Sequence, residues 1–202
     1  SCGISHTIVL TTDGQVLAFG DGGNSLKSYF VKHYGGLGTG TDAHASTPIQ
    51  VELPSEHGRI ISVQAGNQFS QALTEDGTLF NWGNNAYNTI SEEEYGSYKS
   101  PVVNDQVQRI KDEEGVTIKK LRSNADCSLA LFSDGSLRGW GCNNYGNLGV
   151  YHVLGVEIQD ILVPKITRLQ ESATYNHQRV VDFDLGENMS IFMTEDGKLY
   201  KQ

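Results

Sequence analysis

Basic charge is scarce in this chain. Its 202 residues carry 15 Lys plus Arg against 24 Asp plus Glu, a formal net charge of −9. Duplex nucleic acid or an anionic membrane as main partner would require a basic face, so this balance argues against both. Long apolar runs are missing too: no stretch approaches the roughly 20 residues of a membrane-spanning helix. No charged-then-apolar leader opens the chain, and Ser1 rather than Met stands first. Cysteine is limited to Cys2, Cys127 and Cys142, an odd count without Cys-x-x-Cys spacing. Reduced thiols in an intracellular, reducing compartment are the expectation. Proline occurs only four times, whereas glycine occurs 23 times. With alternating β-branched and aromatic residues, that composition predicts a turn-rich, all-β protein.

What the chain does have is a repeat. Four times, a glycine-type turn position is followed ten residues later by Asp-Gly: Gly3 to Asp13-Gly14, Gly66 to Asp76-Gly77, Asn124 to Asp134-Gly135, and Gly186 to Asp196-Gly197. Such regularity fixes architecture and makes any single repeat residue a poor catalytic candidate. Short apolar runs flank each Asp-Gly pair, for example Ile8-Val9-Leu10 before the first and Val16-Leu17-Ala18 after it. This is a hairpin signal, and Asp-Gly predicts a type I′ turn.

A third strand is predicted before the later hairpins, at Ile60–Ala65, Val116–Leu121 and Val180–Leu185. Further upstream lie Pro48-Ile49, Pro101-Val102 and Pro164-Lys165, which suit edge strands because proline cannot donate to a ladder. Each unit therefore reads as about four antiparallel strands, one propeller blade. No long amphipathic helix is expected; Asp112–Glu114 and Ile161–Gln170 could form a turn or two.

The segment Trp140-Gly141-Cys142-Asn143-Asn144-Tyr145-Gly146-Asn147-Leu148-Gly149 fits W-G-x-N-x-x-G-x-L-G. In the first repeat, Gly3 to Gly14 fits G-x-x-H-[ST]-x-x-L-x-x-D-G. With its recurrence in register over almost the whole chain, this pattern resembles the regulator of chromosome condensation repeat family. The resemblance implies a seven-bladed β-propeller. At about three and a half blades, the chain is expected to be a partial ring or a fragment of a longer protein. The repeat's histidine position holds His6, Phe69, Cys127 and Met189, which marks a packing site rather than a ligand. Its tryptophan position holds Phe19, Trp82, Trp140 and Gln202, and its G-x-L-G end becomes Asn88-Thr89-Ile90-Ser91 in the second repeat.

Chemistry is sparse. Gly36-Leu37-Gly38-Thr39-Gly40 superficially resembles a phosphate loop but leads to Pro48 rather than into a helix. The remaining histidines are dispersed, Glu92-Glu93-Glu94 reads as a solvated loop, and no nucleophile elbow is visible. A non-enzymatic protein without cofactor or metal is expected.

Recognition is assigned instead to unequal loops on a rigid scaffold. The first insert supplies Lys27, Tyr29, Phe30, Lys32, His33 and Tyr34, basic and aromatic within an acidic chain. Weaker candidates are Tyr151 and His152, and Tyr175, His177 and Arg179. The leading expectation is a protein–protein interaction module or scaffold in a larger assembly, with no direct nucleic-acid contact and no membrane insertion. The family resemblance implies an alternative, guanine-nucleotide exchange on a small Ras-like GTPase. A chromatin-associated adaptor is the third reading.

Overall fold

The computed structural model describes residues 1–23, 35–54, 57–87, 89–90, 97–143, 146, 148, 162–168 and 179–201, with 162–168 described by backbone alone. The Asp-Gly pairs do close hairpins, but not as type I′ turns. Gly14, Gly77, Gly135 and Gly197 have φ between 80° and 89°, while none of the preceding aspartates has positive φ. Thr11 N donates to Gln15 O at 2.9 Å and Gly14 N to Thr11 O at 3.1 Å, and the other three hairpins repeat both bonds. This is the three-residue loop, a type I turn followed by a left-handed glycine that forms a G1 bulge. The reason lies in the aspartate, which stays at negative φ. In three copies it accepts a hydrogen bond from the threonine two residues before it, Thr11, Thr74 or Thr194.

The strands group into four antiparallel sheets. The first contains β1 (His6–Leu10), β2 (Val16–Gly20) and β3 (Ala45–Gln50). The second contains β4 (Ile60–Ala65), β5 (Phe69–Thr74), β6 (Leu79–Asn84) and β7 (Ser97–Val103). After α1 (Asp105–Glu114), the third sheet contains β8 (Ile118–Asn124), β9 (Cys127–Phe132), β10 (Leu137–Cys142) and β11 (Leu162–Arg168). The fourth contains β12 (Val180–Leu185), β13 (Ser190–Thr194) and β14 (Leu199–Lys201). Each sheet is a meander, a blade of a partial β-propeller. The proline-bearing strands β3, β7 and β11 are all at sheet edges, where a missing N–H costs least.

Two expectations shift. The third-repeat inner strand begins at Ile118 rather than Val116, because Val116 packs onto the core beside the helix and Thr117 N is bonded to Ser133 Oγ. The helix is also longer than the turn or two expected, at ten residues. Asn104 caps it by accepting from Val107 N, and left-handed Gly115 ends it by donating to Lys111 O. Segment 161–170, the other helix candidate, contains β11 instead.

Adjacent blades are sealed by three apolar clusters. Ile8, Val16 and Ala18 of the first blade meet Ala72, Phe80 and Trp82 of the second. Leu73 and Leu79 meet Ile118, Leu121, Phe132 and Trp140 at the next joint. Leu129, Leu131 and Leu137 meet Phe183, Leu185 and Phe192 at the last. The middle joint also has a buried polar patch. Gln71 and Asn81 stand where the third blade has Leu129 and Gly139, and Gln71 Nε2 donates to Asn81 Oδ1 at 2.9 Å. Gln71 Oε1 in turn accepts from Ser128 Oγ at 3.2 Å across the joint.

Candidate interaction surfaces

Strand order creates two faces. At one, the turns β4–β5, β8–β9 and β12–β13 meet the ends of the long connections β2–β3, β6–β7 and β10–β11. At the other, the Asp-Gly hairpins meet the connections β3–β4, β7–β8 and β11–β12, including α1. We call these the turn face and the hairpin face.

On the turn face, the repeat-defining residues are committed to packing. The tryptophan of one blade donates to the backbone of the blade before it: Trp82 Nε1 to Gly36 O at 3.0 Å and Trp140 Nε1 to Thr89 O at 3.1 Å. Thr89 therefore occupies the same place as Gly36, and Ile90 is as buried as Leu37 and Leu148. At its two described positions, Thr89 and Ile90, the second repeat keeps the geometry of its G-x-L-G end. Asn85 Oδ1 accepts from Ile90 N at 2.8 Å and Asn143 Oδ1 from Leu148 N at 2.9 Å, a bridge that needs only the asparagine. The glycine after the aromatic is obligatory. Gly20, Gly83 and Gly141 have φ of 98–112°, and a Cβ there would lie 2.4–2.5 Å from a neighbouring carbonyl oxygen.

His6 is a core residue. Its Nε2 lies 2.8 Å from Ser70 Oγ, which in turn lies 3.0 Å from Gly36 O, so imidazole, hydroxyl and carbonyl form one buried hydrogen-bonded chain. Burial lowers its pKa to about 4, opposed by its bond to the Phe69 backbone and by Asp21. Asp126, in the β8–β9 turn, has its pKa raised by burial, offset in part by a hydrogen bond from Asn67. That bond, Asn67 Nδ2 to Asp126 Oδ2 at 3.3 Å, links the turns of adjacent blades, as does Asn67 N to Ala125 O at 2.6 Å.

Of the recognition candidates, Lys27, Tyr29, Phe30, Lys32, His33, Tyr34, Tyr151, His152, Tyr175 and His177 lie outside the described residues. The chain around them is described. Gly35 N donates to Gly22 O at 2.9 Å, so segment 24–34 leaves and returns through one hydrogen-bonded neck on the turn face. Gly35 and Gly40 pack that neck onto β7, with Gly40 N donating to Lys99 O at 2.8 Å. Segment 149–161 also joins the described chain on the turn face, whereas 169–178 joins it on the hairpin face. The described ends of these segments thus lie on opposite faces. Arg179 is exposed, but its guanidinium donates to Ser133 O at 3.3 Å and its stem covers Gly135 of the preceding blade.

The hairpin face is built by α1, which the sequence pattern understated. Lys111 reaches Asp76 at 2.7 Å in the second hairpin, and Glu114 pairs with buried Arg138 at 2.7 Å beside the third. Arg138 also contacts Asp134 at 3.3 Å and lies over the Phe132 ring. Nearer the inner strands, Lys120 pairs with Asp182, and Arg122 with Asp184 at 3.2 Å, joining the third and fourth blades.

The sequence matches the profile of the "Regulator of chromosome condensation (RCC1) repeat" over residues 1–25, 60–89 and 118–147. A second profile of the same description matches residues 31–73. The human regulator of chromosome condensation is 30% identical over 207 residues, covering 96% of this chain and 44% of its own length. Human HERC6, a probable E3 ubiquitin-protein ligase, is 28% identical over 99% of this chain and 17% of its own. The chain thus spans less than half the length of these relatives. Among solved structures, human WBSCR16 superposes with a TM-score of 0.73 at 22% identity, over 100% of this chain and 45% of that one. Yeast RCC1 (Prp20) bound to Kap60 gives 0.72 at 22% identity, over 98% and 40%.

Proposed function

Because the chain belongs to the regulator of chromosome condensation (RCC1) repeat family, we propose that it is a protein-interaction module whose unequal loops dock onto a partner in a larger, intracellular assembly. The observation that carries this reading is the neck at Gly22 and Gly35. It ties an insert of basic and aromatic residues to a rigid blade, while the repeat's histidine, tryptophans and aspartates are used in packing and turns. Lysines steer association toward an acidic partner surface, and Tyr and Phe supply anchors at low entropic cost.

Cross-linking and pull-down from the native cell extract with the full-length protein test the module. Capture should be lost on combining Lys27→Glu, Tyr29→Ala, Phe30→Ala and Lys32→Glu, with the melting temperature unchanged. If the wild type captures no protein, the module fails; if the variant captures the same set, the insert is not the docking loop.

A second reading is guanine-nucleotide exchange on a small Ras-like GTPase. It draws on similarity to the human regulator of chromosome condensation over nearly the whole chain. It draws also on a structure of yeast Prp20p reported with its binding properties to Gsp1p and histones. Nucleotide release measured across a panel of small GTPases separates the two readings, and no acceleration anywhere rules out the exchanger. A chromatin adaptor through histones is the third reading; the net negative charge suits a basic protein partner better than DNA.

A further inference from the structure

The four Asp-Gly hairpin turns share one backbone but not one environment, and among aspartyl dipeptides Asp-Gly is the most open to cyclisation, because glycine has no side chain to obstruct its amide nitrogen. The glycine amide nitrogen can attack the aspartate Cγ. A C–N bond forms, a carboxyl oxygen leaves as water with the amide proton, and a five-membered succinimide results. Water then opens the ring at either carbonyl, restoring aspartate or leaving isoaspartate, in which the main chain runs through the side-chain carboxyl. No oxidant or cofactor is consumed. A cation paired to the carboxylate opposes loss of that oxygen as water, and atoms packed over the glycine obstruct ring closure.

Three of the turns carry such protection, and at the one further Asp-Gly pair, Asp21-Gly22, a Cβ on Gly22 would lie 2.2 Å from Ala43 O while Asp21 Oδ1 accepts from Gly23 N at 2.9 Å. Asp76 is paired with Lys111 at 2.7 Å, and a Cβ on Gly77 would lie 2.7 Å from Thr117. Asp134 contacts Arg138 at 3.3 Å and accepts from Ser136 N and Oγ, while Arg179 covers Gly135. Asp196 is paired with Lys198 at 2.7 Å, though Gly197 is open. Asp13 differs on both counts. It is exposed, accepts a hydrogen bond from Thr11 Oγ1, and makes no ion pair among the described residues; nothing lies within 4 Å of a Cβ on Gly14. The neighbouring blade is in place here, with Arg59 at the position from which Thr117 and Arg179 cover the other glycines, yet Gly14 stays uncovered.

We propose that Asp13-Gly14 is the site of isoaspartate formation in this protein, and so a substrate for an isoaspartate-directed carboxyl methyltransferase that uses S-adenosylmethionine. The added backbone carbon would enter a three-residue loop whose Gly14–Thr11 bond sets the β1–β2 register, so conversion would loosen the first blade.

The test is to age the folded full-length protein in warm neutral buffer. Isoaspartate is then located by electron-transfer fragmentation of its peptides and by enzymatic methyl transfer from S-adenosylmethionine. Asp13 should convert about tenfold faster than Asp76 or Asp134, equivalent to about 1.4 kcal/mol in barrier. Lys111→Met should speed Asp76 and leave Asp13 unchanged, and Thr11→Val should speed Asp13. Equal conversion at all sites, or Asp21, Asp76, Asp134 or Asp196 leading, overturns the proposal. So does absence of isoaspartate at Asp13 over a period in which urea-unfolded protein forms it. If Thr11→Val unfolds the blade, the comparison of sites within the wild type decides alone.

Discussion

Burial lowers the pKa of His6 from 6.5 to about 4. The unfolded chain therefore takes up a proton near 6.5, while the folded chain resists it until near 4. Between those values the unfolded state binds more protons, so stability falls as pH falls, by at most about 3 kcal/mol in total. Phe69 fills the equivalent position in the second blade. His6→Phe is thus expected to remove that acid limb; urea unfolding at neutral pH and at about pH 4.5 checks it. Equal stability of the wild type at both values would refute the assignment. Trp140 supplies a second test. Trp140→Phe loses the bond to Thr89 O and should cost about 1 kcal/mol, whereas Trp140→Ala also opens a cavity and should cost about 3–5 kcal/mol. At this scale the mixture of types at the His6 position pointed to packing, which holds for His6, Phe69 and Cys127 but not for Met189, which is exposed. The bond to Ser70 was not legible, because Ser70 is 64 residues away.

Among the elements, the hairpins were legible in place but not in type. Asp-Gly suits both type I′ and the type I turn with a G1 bulge, and local hydrogen bonds from Thr11, Thr74 and Thr194 to the aspartates accompany the second. Helix α1 was understated for a different reason. Only Val107 and Ile110 of its ten residues contribute to the core, so its apolar stripe is too short to stand out. Its existence depends on the Asn104 cap, Gly115, and anchors on two neighbouring hairpins. Asn104→Ala should destabilise the protein by about 1 kcal/mol, with amide exchange accelerating first in α1. Unchanged exchange in α1 would show that the packing of Val107 suffices. The G-x-L-G end of the second repeat looked decayed because Asn88, Ile90 and Ser91 differ in letter, but the residues described there are Thr89 and Ile90. They survive in geometry because a backbone carbonyl and a buried aliphatic group are all that Trp140 requires.

For the whole molecule, stability rests on how each blade seals against the next. The joint between third and fourth blades combines the Leu129–Phe183 cluster with Lys120–Asp182 and Arg122–Asp184. These pairs are partly exposed, so a double-mutant cycle on Arg122 and Asp184 should give a coupling below about 1 kcal/mol that shrinks with added salt. A coupling insensitive to salt would mean the pair is less hydrated than its exposure indicates.

By itself, the sequence determined the repeat, the all-β class and the partial propeller, because those follow from local turn chemistry and period-2 strands that recur in register. Only the tertiary structure decided where the carbonyl of one blade meets the tryptophan of the next and on which face the described chain leads into each candidate loop. It also decided which Asp-Gly turn is left both uncovered and without an ion pair among the described residues. Those properties depend on contacts between residues dozens of positions apart, which no local pattern records.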